Sequence, residues 1–184
     1  MGTNGSLAIV LWRNYQVDGK NANVVEEGRM EFDLYHLMCE ALKEAQKGFD
    51  SGEVPVGAVL AGQEGRILAR AHNQPIALND PTAHAEILAM REAGALFGNY
   101  RLNNTLLVVT VEPCLMCMGA AIHARIPRLV FGTADPKAGA AGSVYNLAAD
   151  ERLNHRVEVV SGVMGEECRS LMQEFFRICR GRSG

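Results

Sequence analysis

TLLVVTVEPCLMCMGAAIHA, residues 105–124, decides how this chain folds. Thr105–Val111 is an almost unbroken apolar run, the pattern of a strand buried on both faces. Glu112-Pro113 ends it: proline cannot donate to a strand ladder but suits the first turn of a helix. The residues that follow read as a helix through about Ala124. A doubly buried strand leading straight into a helix is the repeating unit of a sheet covered by helices.

The flanking segments extend that pattern. Asp80-Pro81 predicts a second helix start, with Asp80 as N-cap and Pro81 at the first position, ending near Ala93 at Gly94. Val54–Leu60 and Ile67–Ala71 read as a hairpin around Gln63-Glu64-Gly65. Tyr35, Met38, Cys39, Leu42, Ala45 and Phe49 fall at helical spacing, which predicts a helix over 31–51 capped by Gly52. Beyond the central stretch come a strand at Arg128–Gly132 and a Gly/Ala-rich segment, 134–143, expected to be a mobile surface loop. A strand at Arg156–Val160 and a helix at Glu166–Arg180 follow. The order α-β-β-α-β-α-β-β-α predicts an α/β protein: a partly parallel sheet with helices on both faces. Residues 1–30 show no sustained period and read as a poorly ordered N-terminal extension. That leaves 31–184 as one domain.

The bulk numbers exclude several classes. With 184 residues, 48% apolar and 21% charged, the chain has the composition of one globular domain. Uncharged apolar stretches are too short to span a membrane. A net charge of −3 gives no bulk attraction for nucleic acid, so such a partner must meet a local patch. The acidity is itself local: over 31–60, Glu31, Asp33, Glu40, Glu44, Asp50 and Glu53 face only Lys43 and Lys47. Five cysteines, an odd count with one close pair, argue against a disulfide framework and for a reducing, cytoplasmic setting. There is no G-x-G-x-x-G and no G-K-[ST] to cradle a nucleotide phosphate.

Two motifs carry the chemistry: His84-Ala85-Glu86 and Pro113-Cys114-Leu115-Met116-Cys117. Cys114 and Cys117, three apart at a helix start, can aim both sulfurs at one point, and the helix N-terminus favours thiolates. His84, also expected in a first helical turn, is the best third ligand. Two thiolates and one imidazole suit Zn2+, and three protein ligands leave a position open for water, the catalytic arrangement. Glu86 is two residues on, about 200° around a regular helix, so both side chains can meet one point only near the helix end. Together the motifs match the H-x-E…P-C-x-x-C signature of zinc deaminases, in which the glutamate moves protons and is not a ligand. Core thiols with a surface His-Glu pair are the plain alternative.

At these residues the chain resembles the TadA-type tRNA-specific adenosine deaminases, within the cytidine deaminase-like superfamily. The resemblance spans roughly 31–180 and includes EVPVGAV (53–59), DPTAHAEI (80–87), NYRL (99–102), EPCLMC (112–117) and FFR (175–177). It implies a three-layer α/β/α domain with a mixed five-stranded sheet. It also implies one Zn2+ per subunit, a homodimer, and deamination of adenosine to inosine at the wobble position of a tRNA anticodon, usually that of an arginine tRNA. His84, Cys114 and Cys117 match the zinc ligands, and Glu86 the proton shuttle.

Substrate-contact positions carry over with their ordinary alternatives. Asn73 matches a purine contact, or forms a turn before Gln74-Pro75. Val56 and Ala85 match pocket positions, or are core. Asp135 matches a residue near the RNA sugar, able to accept from a 2′-OH, or is a loop aspartate. Lys137 and His155 are candidate phosphate contacts or solvent-exposed side chains. Phe175, Phe176 and Arg177 offer stacking and charge, with one phenylalanine expected in the core. Cys179 stands where the family often has a basic residue. The competing functions are deamination of a free base such as guanine or cytosine, and a non-catalytic zinc module.

Overall fold

The computed structural model describes residues 32–182, so the expected N-terminal extension lies outside the described residues. Helix α1, Leu34–Asp50, opens with the Asp33 carboxylate accepting from the His36 backbone N–H at 2.9 Å. Its buried stripe is Leu34, Leu37, Met38, Ala41 and Ala45. The stripe is turned relative to expectation: Tyr35 is exposed and Leu37, not Leu42, is fully covered. Strands β1, Gly57–Ala61, and β2, Ile67–His72, form the expected antiparallel hairpin, and the connection at Gln63–Gly65 is a short 3-10 turn.

A one-turn helix α2, Pro75–Leu78, precedes α3, Ala85–Phe97. This corrects both expected ends of α3. Asp80 spends its carboxylate locally, Oδ1 accepting from Thr82 N and Oγ1 at 2.8 and 2.7 Å, so it caps a turn and not the helix. Gly94 lies inside α3, and the stop is Gly98, whose φ of 59° is the left-handed C-cap that glycine adopts without strain.

Strand β3, Leu106–Val111, leads into α4, Leu115–His123; β4, Arg128–Thr133, β5, Glu158–Ser161, and α5, Gly165–Arg182, complete the domain. The five-stranded sheet runs β2-β1-β3-β4-β5, with β1 antiparallel to β2 and β3, and β3, β4 and β5 parallel. It is therefore mixed, as expected. Every residue of β3 is buried, and its period-2 alternation splits the core in two. Leu107 and Val109 pack with Ala89, Met118 and Phe131 under α3 and α4. Leu106 and Val108 pack with Leu37, Met38 and Cys168 under α1 and α5. Each such side chain contributes roughly 1.5–3 kcal/mol by leaving water. The three layers bring the N-termini of α3 and α4 together beside the C-terminal end of β3.

Candidate metal centre and surrounding cleft

His84 and Cys114 occupy equivalent places: each is the N-cap of its helix, in extended backbone with φ near −74°. Neither side chain caps its helix, so both are free to turn toward each other. His84 therefore stands just outside α3, not within its first turn. This resolves the 200° problem, because an extended N-cap does not obey the helical wheel. Cys117 lies one turn into α4 and is buried. The three donors form a small triangle: Cys114 Sγ to Cys117 Sγ 3.7 Å, Cys114 Sγ to His84 Nδ1 3.7 Å, and Cys117 Sγ to His84 Nδ1 3.5 Å.

That triangle fits zinc. With Zn–S of about 2.3 Å and Zn–N of about 2.0–2.1 Å, tetrahedral angles place sulfurs about 3.8 Å apart and sulfur from nitrogen about 3.6 Å. Among the described residues the group gathers three donors and no fourth. Protonation reflects the crowding. The neighbouring Cys117 thiol and His84 hold Cys114 down to about 3, while pairing with Cys114 and burial push Cys117 up. The Cys114 sulfur raises the His84 pKa in turn, against burial. A soft donor set already poised around one thiolate is a metal-binding set.

Glu86, two residues after His84, is only 3% exposed, and its Oε2 is a buried oxygen with no hydrogen-bond partner. Burial drives its pKa above the ordinary carboxylate range, opposed by the His84 charge. A buried carboxyl oxygen without a partner costs stability unless the site uses it.

The wall beside it comes from the hairpin. Asn73 N–H donates to the Val56 carbonyl at 3.0 Å, and Asn73 Oδ1 accepts from the Ala85 N–H at 2.9 Å. Val56, Asn73, Ala85, His84 and Glu86 thus converge. Asn73 is more than a turn former: it supplies, from 12 residues upstream, the acceptor that begins α3. Only an oxygen can accept from that N–H, so its NH2 is the end left to donate elsewhere.

Segment 134–143 corrects the expectation of a mobile surface loop. Ala140 and Ala141 are buried, Cys114 and Gly139 form an antiparallel bridge, and Ala140 N–H donates to the Pro113 carbonyl at 2.8 Å. Its organiser, which sequence reading passed over, is Glu112. This 3%-exposed carboxylate accepts from Asp135 N, Ala141 N and Ser143 N at 3.0 Å each, and from the Ser143 hydroxyl. The available signal was a charged residue closing a buried apolar strand, which requires partners. Asp135 Oδ1 accepts from Lys137 N and Ala138 N, the turn-forming alternative, and Lys137 is exposed.

The remaining candidates lie apart from the triangle. His155 is half-buried with Nε2 2.8 Å from the Ile126 carbonyl, at the end of α4 remote from Cys114. A nine-residue helix separates the two by about 14 Å. Phe175, the buried member of the Phe175-Phe176 pair, packs edge-on against Phe49, while Phe176 and Arg177 are exposed on α5, across the sheet from α3 and α4. The C-terminal turn of α1 ties that aromatic pair to the hairpin end, since Gly48 backs onto His72.

Comparison with known proteins agrees with this geometry. The model of the cytidine and deoxycytidylate deaminase zinc-binding region matches residues 31–133. The tRNA-specific adenosine deaminase of Bacillus subtilis (strain 168) is 49% identical over 148 residues, covering 80% of this chain and 90% of the relative. A solved structure from work on A-to-I editing by tRNA:A34 deaminases, at the wobble position of transfer RNA, aligns with a TM-score of 0.71 and 43% identity. It covers 74% of this chain and 98% of that one. A guanine deaminase from Nitrosomonas europaea shares the fold at a TM-score of 0.67 with 23% identity, covering 80% and 86%. On the strength of its matched zinc-binding region and a near-half identity along most of its length, this chain belongs to the tRNA-specific adenosine deaminase family of zinc-dependent deaminases.

Proposed function

We propose that this chain hydrolyses adenosine to inosine at the wobble position of a tRNA anticodon, that of an arginine tRNA being the expected substrate. The observation that carries the chemistry is the buried, unpartnered Glu86 Oε2 beside three metal donors that lack a fourth. His84, Cys114 and Cys117 would hold zinc. When bound, zinc supplies the Lewis acidity that makes a nucleophile from water near neutral pH. Glu86 takes a proton as the new C–O bond forms and delivers it to the adjacent ring nitrogen, and it then passes the remaining hydroxyl proton to the exocyclic amine as the C–N bond breaks, the carbonyl forms and ammonia leaves. A carboxyl whose burial favours the protonated form suits that shuttle. The Asn73 NH2, oriented by the Ala85 N–H, donates to the purine; Val56 and Ala85 shape the pocket wall.

RNA would approach across the Asp135–Lys137 turn and the exposed Phe176 and Arg177. An anticodon loop already displays unpaired bases, which lowers the cost of placing one in a closed pocket. His155, held on the Ile126 carbonyl at the far end of α4, serves packing in this reading. A cytoplasmic homodimer completes it. In support, a groove of about 670 Å³ runs between α3 and α4, lined by Ile87, Met90, Leu102, Met116 and the exposed Tyr100, and shares no residue with the metal donors. Among the described residues no helix is long and apolar enough to cross a membrane.

The test offers zinc-loaded protein an arginine tRNA with adenosine at the wobble position beside free guanine and cytosine, with nucleoside mass spectrometry. Inosine in the tRNA supports the reading. Turnover of a free base alone replaces it with small-base deamination.

A further inference from the structure

From its four accepted hydrogen bonds, we infer that Glu112 is a positioning residue for RNA binding: it clamps the 135–143 loop onto the strand end that leads into Cys114. This deepens the proposed function and rests on it. The clamp is complete. Oε1 accepts from Ala141 N and Ser143 N on the second limb of the loop, and Oε2 from Asp135 N on the first limb and Ser143 Oγ on the second, so each oxygen serves two donors and the carboxylate as a whole joins both limbs. The partners lie 23 to 31 residues downstream, and among the described residues no other side chain accepts from these three amides. The loop closes over the clamp with no spare room. A Cβ on Gly139 would collide with the Glu112 carboxylate and the Asp135 carbonyl, so position 139 accepts no side chain without moving the loop. Main chain ties the same assembly to the metal end, through the Cys114–Gly139 bridge and the bond from Ala140 N–H to the Pro113 carbonyl.

The consequence is a division of labour. The Glu112 carboxylate makes its hydrogen bonds to the loop that carries Asp135 and Lys137, and it acts through that loop. Those side chains reach RNA in a fixed place only while the loop is held, and a loosened loop must be ordered each time RNA binds. The loss therefore falls on KM for tRNA more than on kcat.

Glu112→Gln is the test, because it keeps size and replaces one acceptor oxygen by an NH2 that faces donors. Zinc content should stay near one per chain. KM for tRNA should rise roughly tenfold or more with kcat within about threefold. Amide hydrogen exchange at Asp135, Ala141 and Ser143 should accelerate. Ser143→Ala, which removes one of four donors, should move KM the same way by less, and Gly139→Ala should reproduce the Glu112→Gln split from the opposite side. Unchanged KM with unchanged exchange overturns the inference, and so does a fall in kcat accompanied by loss of zinc, which would make Glu112 a support for Cys114. The exchange measurement needs no turnover, so it decides the clamp even if wild-type protein leaves tRNA adenosine untouched, the result that would instead sink the proposed function.

Discussion

Two glutamates stand beside the helix starts that build the metal centre, and they are treated in opposite ways. Glu86, after the N-cap of α3, and Glu112, before the N-cap of α4, are equally buried at 3% exposure. Glu112 has four donors on its two oxygens, while Glu86 keeps an oxygen with none. Burying a carboxylate costs several kcal/mol unless partners replace water. The fold meets that cost at Glu112 and gains an ordered loop. At Glu86 it leaves one oxygen without a partner, which is what the proposed proton-transfer role asks of a group and what a tie does not need.

The largest way to break the comparison removes the centre both glutamates flank. Cys114→Ala should lose zinc and activity together, read by metal analysis and inosine formation. A variant that still holds one zinc would mean the donor triangle is not the metal site. The next largest effect applies one change to each glutamate. Glu86→Gln should keep zinc and lower turnover by ~10²–10⁴-fold. Its melting temperature should stay near that of wild type, since glutamine keeps the size of a carboxyl whose burial already favours the uncharged form. Glu112→Gln should do the reverse, keeping turnover and lowering thermal stability. Equal melting shifts in the two variants would erase the distinction.

Raising salt tests the loop that Glu112 holds. If Lys137 and the exposed α5 arginines Arg177 and Arg180 make about three phosphate contacts, going from about 50 to about 200 mM salt should weaken tRNA binding about twenty- to fortyfold, by filter binding or anisotropy. Salt-independent binding would remove the charged approach path. The smallest stability effect is at Asn73, the residue that sets where the Glu86 helix begins. Asn73→Ala leaves the Ala85 N–H without its acceptor and should cost about 1 kcal/mol, a fall of about 2–4 °C in melting temperature.

The same contrast explains what could be read from the chain. Strand β3, the hairpin and α4 follow from local patterns, and so does the pairing of Cys114 with Cys117, because Cys-x-x-C after proline needs only its own helix to point both sulfurs one way. The start of α3 did not follow. Asp80-Pro81 has the local form of a helix start, yet Asp80 is consumed by Thr82, and the acceptor that starts the helix is Asn73, from another element. Segment 134–143 read as mobile for a similar reason. Its small residues say little locally, and the carboxylate that fixes it lies across the fold at the end of β3. Gly139 carries no local sign that Glu112 fills its side-chain space. Non-local hydrogen bonds decided each departure, and those are what a period or a spacing does not encode.

The central proposal is that Glu86, with its Oε2 buried and unpartnered, moves a proton on tRNA adenosine. One measurement addresses it directly: nucleoside mass spectrometry of an arginine tRNA after incubation with wild-type or Glu86→Gln protein, each verified to carry one zinc. Wobble inosine with wild type and almost none with the variant is the predicted result. Near-normal inosine from zinc-loaded Glu86→Gln would contradict it.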